Sequence, residues 1–217
     1  MEREINLEEI SDGKKYRSTD MAKIGCNDCN GCSSCCEDMG ELITLDPYDI
    51  YRISTYSENL YFESMLNKNI ELIVDASVLL PALKMDDSTN KCTFLNESGR
   101  CSIHNYRPGI CRLFPLGRLY EDGSFTYFLQ KYECNYENKT KVKIKKWLDT
   151  PELSKYEKYI SDWHYFIKKI QEYLTNSTPE ETKQINMMLL KIFYTTPYEN
   201  DFYDDFYARL AKVNSVF

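Results

Sequence analysis

From residue 153 onward, apolar side chains recur every three or four positions. Tyr156, Tyr159, Ile160, Trp163, Phe166, Ile167, Ile170, Tyr173 and Leu174 form one such stripe, the period of an amphipathic helix. Thr178-Pro179-Glu180-Glu181 reads as the start of a second helix. Thr178 can cap its first turn, Glu181 can return the hydrogen bond, and Pro179 suits the first helical position. Ile185, Met188, Leu189, Ile192 and Phe193 then share a face, and Phe202, Phe206 and Leu210 predict a third helix. Three apolar stripes need one another, or the preceding chain, to leave water.

Upstream the pattern is shorter and more broken. Asp46-Pro47 predicts a helix start, with Ile50, Ile53 and Tyr56 as its buried stripe. A second short helix is expected over Leu60 to Leu66. Ile70 to Val74, Cys92 to Leu95 and Phe125 to Leu129 read as strands, the last behind an Asp122-Gly123 turn. Residues 1–23 are polar, with only Leu7 and Ile10 able to dock, and predict a loose N-terminal arm. Every cysteine lies within residues 24–137, and residues 138–217 read as helices. The expected class is an irregular α+β fold: a cysteine-rich domain of short helices and strands joined to a helical C-terminal region.

Composition narrows the functional classes. The chain has 217 residues, 42% of them hydrophobic, enough to build a core without metal as a staple. A net charge of -7 disfavours nucleic acid as a partner. The basic run Lys139, Lys141, Lys143, Lys145 and Lys146 reads as a solvated linker. The longest mid-chain apolar stretch, Val78 to Leu83, spans only six residues, far below the ~20 of a membrane helix, so no membrane insertion is expected. The acidic start, Met1-Glu2-Arg3-Glu4, lacks the apolar run of a secretory signal and predicts a cytoplasmic protein. In that reducing setting clustered cysteines point to metal ligands rather than disulfides.

The cysteines carry most of the information. Cys26, Cys29, Cys32 and Cys35 recur every third residue, Cys36 follows directly, and Cys92, Cys101, Cys111 and Cys134 lie further on. A continuous helix would rise ~13.5 Å from Cys26 to Cys35, too far for thiolates that sit ~2.3 Å from one zinc ion. The segment must fold back or serve more than one metal. The C-x2-C-x2-C spacing suits an iron–sulfur loop, although the bacterial ferredoxin run continues differently; four-thiolate zinc stays open. Arg107 and Arg112 flank Cys111 as candidate cofactor-binding groups, offsetting thiolate charge or recognising an anion, against a purely structural role in bonding loop carbonyls. Phe94, Leu95, Phe114 and Leu116 are expected to shield the centre. Glu37 and Asp38 read as a solvated turn.

Cys29-Asn30-Gly31-Cys32-Ser33-Ser34-Cys35-Cys36, Cys92-Thr93-Phe94-Leu95 and the long run from Cys101 to Pro115, which includes Arg107-Pro108 and Cys111-Arg112, together form a recognisable signature. The chain resembles the bacterial and archaeal CxxCxxCC cysteine-cluster family of zinc- or iron-chelating domains over roughly residues 26 to 134. Characterised relatives of that family resemble flagellin lysine N-methylases. The resemblance implies eight metal ligands, Cys29, Cys32, Cys35, Cys36, Cys92, Cys101, Cys111 and Cys134, and leaves Cys26 as an extra. His104 occupies a place often held by tyrosine. Eight thiolates suit one or two iron–sulfur clusters of the 4Fe–4S type, with zinc as the alternative. The expected function is redox chemistry, or cluster-dependent modification of a protein or peptide. A structural zinc interaction module and protein-lysine N-methylation are the alternatives. No catalytic residue is named by the sequence.

Overall fold

The computed structural model describes residues 6–26, 32–39, 43–56 and 61–215. The fold is mixed α+β, with short elements in the first two-thirds and long helices at the C-terminus. In chain order the elements are α1 (Leu7–Ile10), β1 (Met21–Gly25), α2 (Pro47–Tyr56), α3 (Phe62–Met65), β2 (Ile70–Asp75) and β3 (Val78–Leu83). There follow α4 (Gly109–Leu113), β4 (Leu116–Glu121), β5 (Ser124–Leu129), β6 (Thr140–Lys143), α5 (Ile144–Leu148), α6 (Leu153–Leu174), α7 (Pro179–Leu190) and α8 (Phe202–Asn214).

The C-terminal helices follow the sequence pattern closely. Tyr156, Tyr159, Ile160, Trp163, Phe166, Ile167, Ile170 and Leu174 of α6 are buried, whereas Tyr173 is exposed. Thr178 and Glu181 form the reciprocal capping box at the start of α7. A π-helical turn, Lys191–Thr195, follows α7 directly and buries both Phe193 and Tyr194. Phe202, Phe206 and Leu210 of α8 are buried.

One apolar core joins these helices to α2, α3 and the β2–β3 hairpin, with Ile50, Ile53, Met65, Val78, Phe94, Tyr159, Phe193 and Phe206 among its members. A smaller core gathers Ile24, Leu113, Leu116, Tyr127, Ile144 and Leu148. The α4 helix links the two, since Cys111 packs against the larger core and Leu113 belongs to the smaller.

Among the described residues the sheets are three antiparallel pairs, β1–β6, β2–β3 and β4–β5. The β4–β5 hairpin turns at Asp122 and Gly123, both at positive φ, as the Asp-Gly pair requires. The β2–β3 hairpin turns at Ala76 and Ser77, also at positive φ, a costly conformation for residues with a Cβ. Asn186 of α7 holds it: its Nδ2 donates to the Ser77 carbonyl at 2.9 Å and its Oδ1 accepts from the Leu79 N–H at 2.8 Å.

Several expectations need correction. Ile50 and Ile53 are buried as expected, but Tyr56 is exposed at the last position of α2. The second short helix covers Phe62–Met65, and Leu60 lies outside the described residues. Cys92 to Leu95 forms a tight turn between isolated bridges to Met85 and Cys101, not a strand. The polar N-terminal stretch is tied down over its described part, because Tyr16 bridges Tyr127 and β1 pairs with β6. The lysine-rich run read as a linker therefore supplies a strand and the start of α5.

Candidate metal centre

Three short segments converge on one cavity. The first is a single 3-10 turn, Ser34–Cys36, closed by the Cys36 N–H on the Ser33 carbonyl at 2.7 Å. The Cys92 N–H donates to the Cys36 carbonyl at 2.7 Å, fastening the second segment to the first. Lys91 also pairs with Glu37 at 3.3 Å, and Asn90 donates to Asp38, so both acids belong to a surface turn. Beyond Cys92 the chain reverses around Asn96, whose Oδ1 accepts from the Ser98 and Arg100 N–H groups. That reversal returns Cys101 to bridge Leu95. The third segment is α4, which carries Cys111.

Cys32, Cys35, Cys36, Cys92, Cys101 and Cys111 all line this cavity of about 800 Å3, a volume that includes its open mouth. Ile43, Leu83, Met85, Phe94, Ile103 and Phe114 supply apolar walls. Phe94 and Phe114 thus meet the shielding expectation, whereas Leu95 and Leu116 do not reach the cavity. Cys32 is exposed at the edge, and the cysteines that line the cavity form no disulfide with one another. Cys134 is half-buried and does not line the cavity, nor does the buried Cys26. Cys29 lies outside the described residues. Among the described residues, no three Cys, His, Asp or Glu side chains are grouped to hold one metal ion.

The thiols differ in acidity. The Cys36 thiol donates to the Cys35 sulfur, which holds Cys35 down to about 7 and pushes Cys36 far up. The charge of Arg107 adds to the lowering at Cys35. Burial raises Cys92 and Cys101, and raises Cys111 further. These groups rest as thiols until a cation displaces their protons. The donor set fits a thiolate-bound metal centre: soft ligands, an apolar enclosure, and a guanidinium beside them.

The two arginines expected near the centre part company. Arg107 lines the cavity with His104, its Nη1 standing 2.9 Å from His104 Nδ1. Arg112 does not line it. Successive residues of a helical turn point about 100° apart, and Arg112 is buried among carbonyls instead. It donates to Arg107 at 3.2 Å, Asn105 at 2.9 Å and Leu148 at 3.1 Å, and also to Asp149. Burial, then the charges of Arg52 and Arg107, pull Arg112 down to about 10.

A buried acidic pair beneath α4 was not foreseen. Asp46 and Asp49 cap the start of α2 reciprocally, each carboxylate accepting from the other's N–H at 3.0 and 3.1 Å. The second Asp49 oxygen accepts from the Gly109 N–H at 2.7 Å and so anchors the start of α4. Tyr159 donates to Asp46 at 2.9 Å. A Cβ at Gly109 would overlap the Tyr156 hydroxyl, so the motif glycine permits close packing there. The Asp-Pro-Tyr-Asp spacing is the signal that identifies this pair as a capping box.

Burial raises Asp49 well above the usual carboxylate range, with repulsion from Asp46 adding to it; burial raises Asp46 too. The native pair therefore keeps protons that the unfolded chain has released above about pH 3.9. Native binding of more protons means stability falls as pH rises from that value through the raised native range. Asp49→Asn removes this titration. Its stability relative to the parent protein should shift in favour of asparagine as pH rises above about 3.9, measured as urea midpoints. A pH-independent difference would contradict the assignment.

No helix among the described residues is long and apolar enough to cross a membrane. No curated protein and no solved structure matches the chain. Residues 28–135 do match a family model, and that span contains every cysteine that lines the cavity, although Trp147 of α5, beyond it, also lines the cavity. The chain is similar there to the CxxCxxCC family, described as a "putative zinc- or iron-chelating domain".

Proposed function

We propose that the CxxCxxCC domain holds an iron–sulfur centre of the 4Fe–4S type and serves redox chemistry with a protein or peptide partner. The observation that carries this reading is the set of six thiols around one apolar-walled cavity, which includes the four that a 4Fe–4S cluster takes, one for each iron, in a space wider than a single ion needs. The four ligands of such a cluster come from Cys35, Cys36, Cys92, Cys101 and Cys111, with Cys32 at the exposed rim. Cys29 and Cys134 join the set by their place in the motif. When bound, such a centre supplies one-electron transfer.

The chain's own residues prepare the site. Cys35 is the most readily ionised of the inner thiols, through the hydrogen bond from Cys36 and the charge of Arg107. Cys92, Cys101 and Cys111 give up protons on binding, so metal affinity should rise with pH. Phe94, Met85 and Ile103 exclude water from the sulfur atoms, which tunes a centre's potential. The open mouth beside Cys32 provides approach for a partner.

A structural zinc module is the second reading, favoured by the family description, which names zinc beside iron. Lysine methylation rests on the resemblance alone and is not preferred. Protein purified without oxygen from iron-replete cells should show broad visible absorbance that bleaches with dithionite. Colourless, fully folded protein with its thiols protected would overturn the redox reading.

A further inference from the structure

The turn that leads into α4 is held in place from two sides. Arg52 and Arg112 both donate to the Asn105 carbonyl, at 2.7 and 2.9 Å, and Arg112 Nε donates to the Arg107 carbonyl at 3.2 Å. The Arg52 guanidinium also lies over the Tyr106 ring, 5.8 Å from its centre. Pro108 keeps the residue before it extended, and ψ of Arg107 is 148°. From this fixed backbone the Arg107 side chain lines the cavity with Cys35, Cys101 and Cys111. Its Nη1 meets the His104 ring at 2.9 Å. Its Nε is buried and has no acceptor among the described residues, which is rare for a buried donor.

The charges on the cavity wall are one-sided. Arg100 and Arg107 line it, and among the described residues no carboxylate does. The charge of Arg107 favours the thiolate form of both Cys35 and Cys101, so it acts on two of the three converging segments. Cysteines that yield their protons to a metal gather negative charge between apolar walls. There a neighbouring cation and a directed N–H count for more than they would in water. Hydrogen bonds to the sulfurs also raise or lower the potential of an iron–sulfur centre.

We propose that Arg107 is a positioning residue of the centre: its Nε–H donates to a metal-bound sulfur, and its charge offsets the thiolates. The inference rests on a thiolate-held metal in this cavity, not on which metal it is. Loss of Arg107 should loosen the metal and, in an iron–sulfur centre, disfavour the added electron.

The test compares the parent protein with Arg107→Gln and Arg107→Lys, each purified with its metal. The EDTA concentration that removes half of the metal should fall about 10–100-fold in Arg107→Gln. It should fall less in Arg107→Lys, which keeps the charge and serves alone if the glutamine variant does not fold. In an iron–sulfur centre, redox titration should show the equilibrium constant for one-electron reduction about tenfold lower in Arg107→Gln, or about 59 mV. A merely structural role would leave that potential in place. Zinc instead of iron would overturn the redox reading and leave the EDTA comparison to decide this proposal. An EDTA midpoint equal to the parent's in every variant that folds, or an unchanged potential in a loaded iron–sulfur centre, would overturn it.

Discussion

Cys111→Ser is expected to strip the protein of its metal, whereas Cys26→Ala keeps the full complement. Cys111 sits in α4 on the cavity wall, and its thiol is held far above its ordinary value by burial and by the neighbouring cysteines. Serine there is a poor ligand for a soft metal and leaves a buried hydroxyl in need of a partner. Structural metal binding in small domains is worth about 10–16 kcal/mol, so its loss should outweigh any single packing change. The loops from Cys32 to Glu37 and from Lys91 to Cys111 contain little regular structure, and they should become the first protease sites. Cys26 is also buried but stands off the cavity, so its replacement should cost packing and no metal. Metal analysis with limited proteolysis reads both effects. Full metal content in Cys111→Ser, or metal loss in Cys26→Ala, would contradict the assignment.

Phe206→Ala should lower the unfolding free energy by about 3–5 kcal/mol. Phe206 is fully buried, and its ring lies 4.6 Å from Tyr159, 5.7 Å from Phe193 and 6.1 Å from Trp163. Removing it takes away one wall of the aromatic cluster that α6, α8 and the π-helical turn share. Ring geometry leaves a cavity that neighbours cannot easily fill, because they already hold one another edge to face. Met187→Ala, on the exposed side of α7, should stay within about 0.5 kcal/mol. Urea unfolding followed by tryptophan fluorescence makes the comparison. Equal midpoints would show that the stripe on α8 is not a core element.

The legible parts of the fold were those in which chemistry is local. The α6 stripe, the Thr178–Glu181 box and the Asp122-Gly123 turn each declare themselves within a few residues. The β1–β6 pair does not: it joins Met21–Gly25 to Thr140–Lys143, and the side chains of β6 are mostly polar and exposed. Pro81 disguised β3, since proline in an apolar run argues against a strand. In a two-stranded hairpin it faces Leu72 without needing a ladder donor on its other side, and its carbonyl accepts from Leu45 at 2.8 Å.

The centre was partly legible for the same reason. Cysteine spacing argued against one continuous helix over the first loop, and the motif drew in Cys92, Cys101 and Cys111. Arg52 carried no signal, because its role depends on where Asn105 and Arg107 fall around it. The division between Arg107 at the cavity and Arg112 at the carbonyls was likewise invisible, being set by the turn of α4 and the end of α5.

The most direct test of the central claim is the iron, acid-labile sulfide and zinc content of protein purified without oxygen from iron-replete cells. Anaerobic handling matters because zinc can occupy thiolate sites from which a labile cluster has been lost. An iron–sulfur centre predicts roughly four irons and four sulfides per chain for one cubane-type cluster, or about twice that for two, with little zinc. Stoichiometric zinc without iron or sulfide would contradict it and remove redox chemistry with it, because zinc has no accessible redox change.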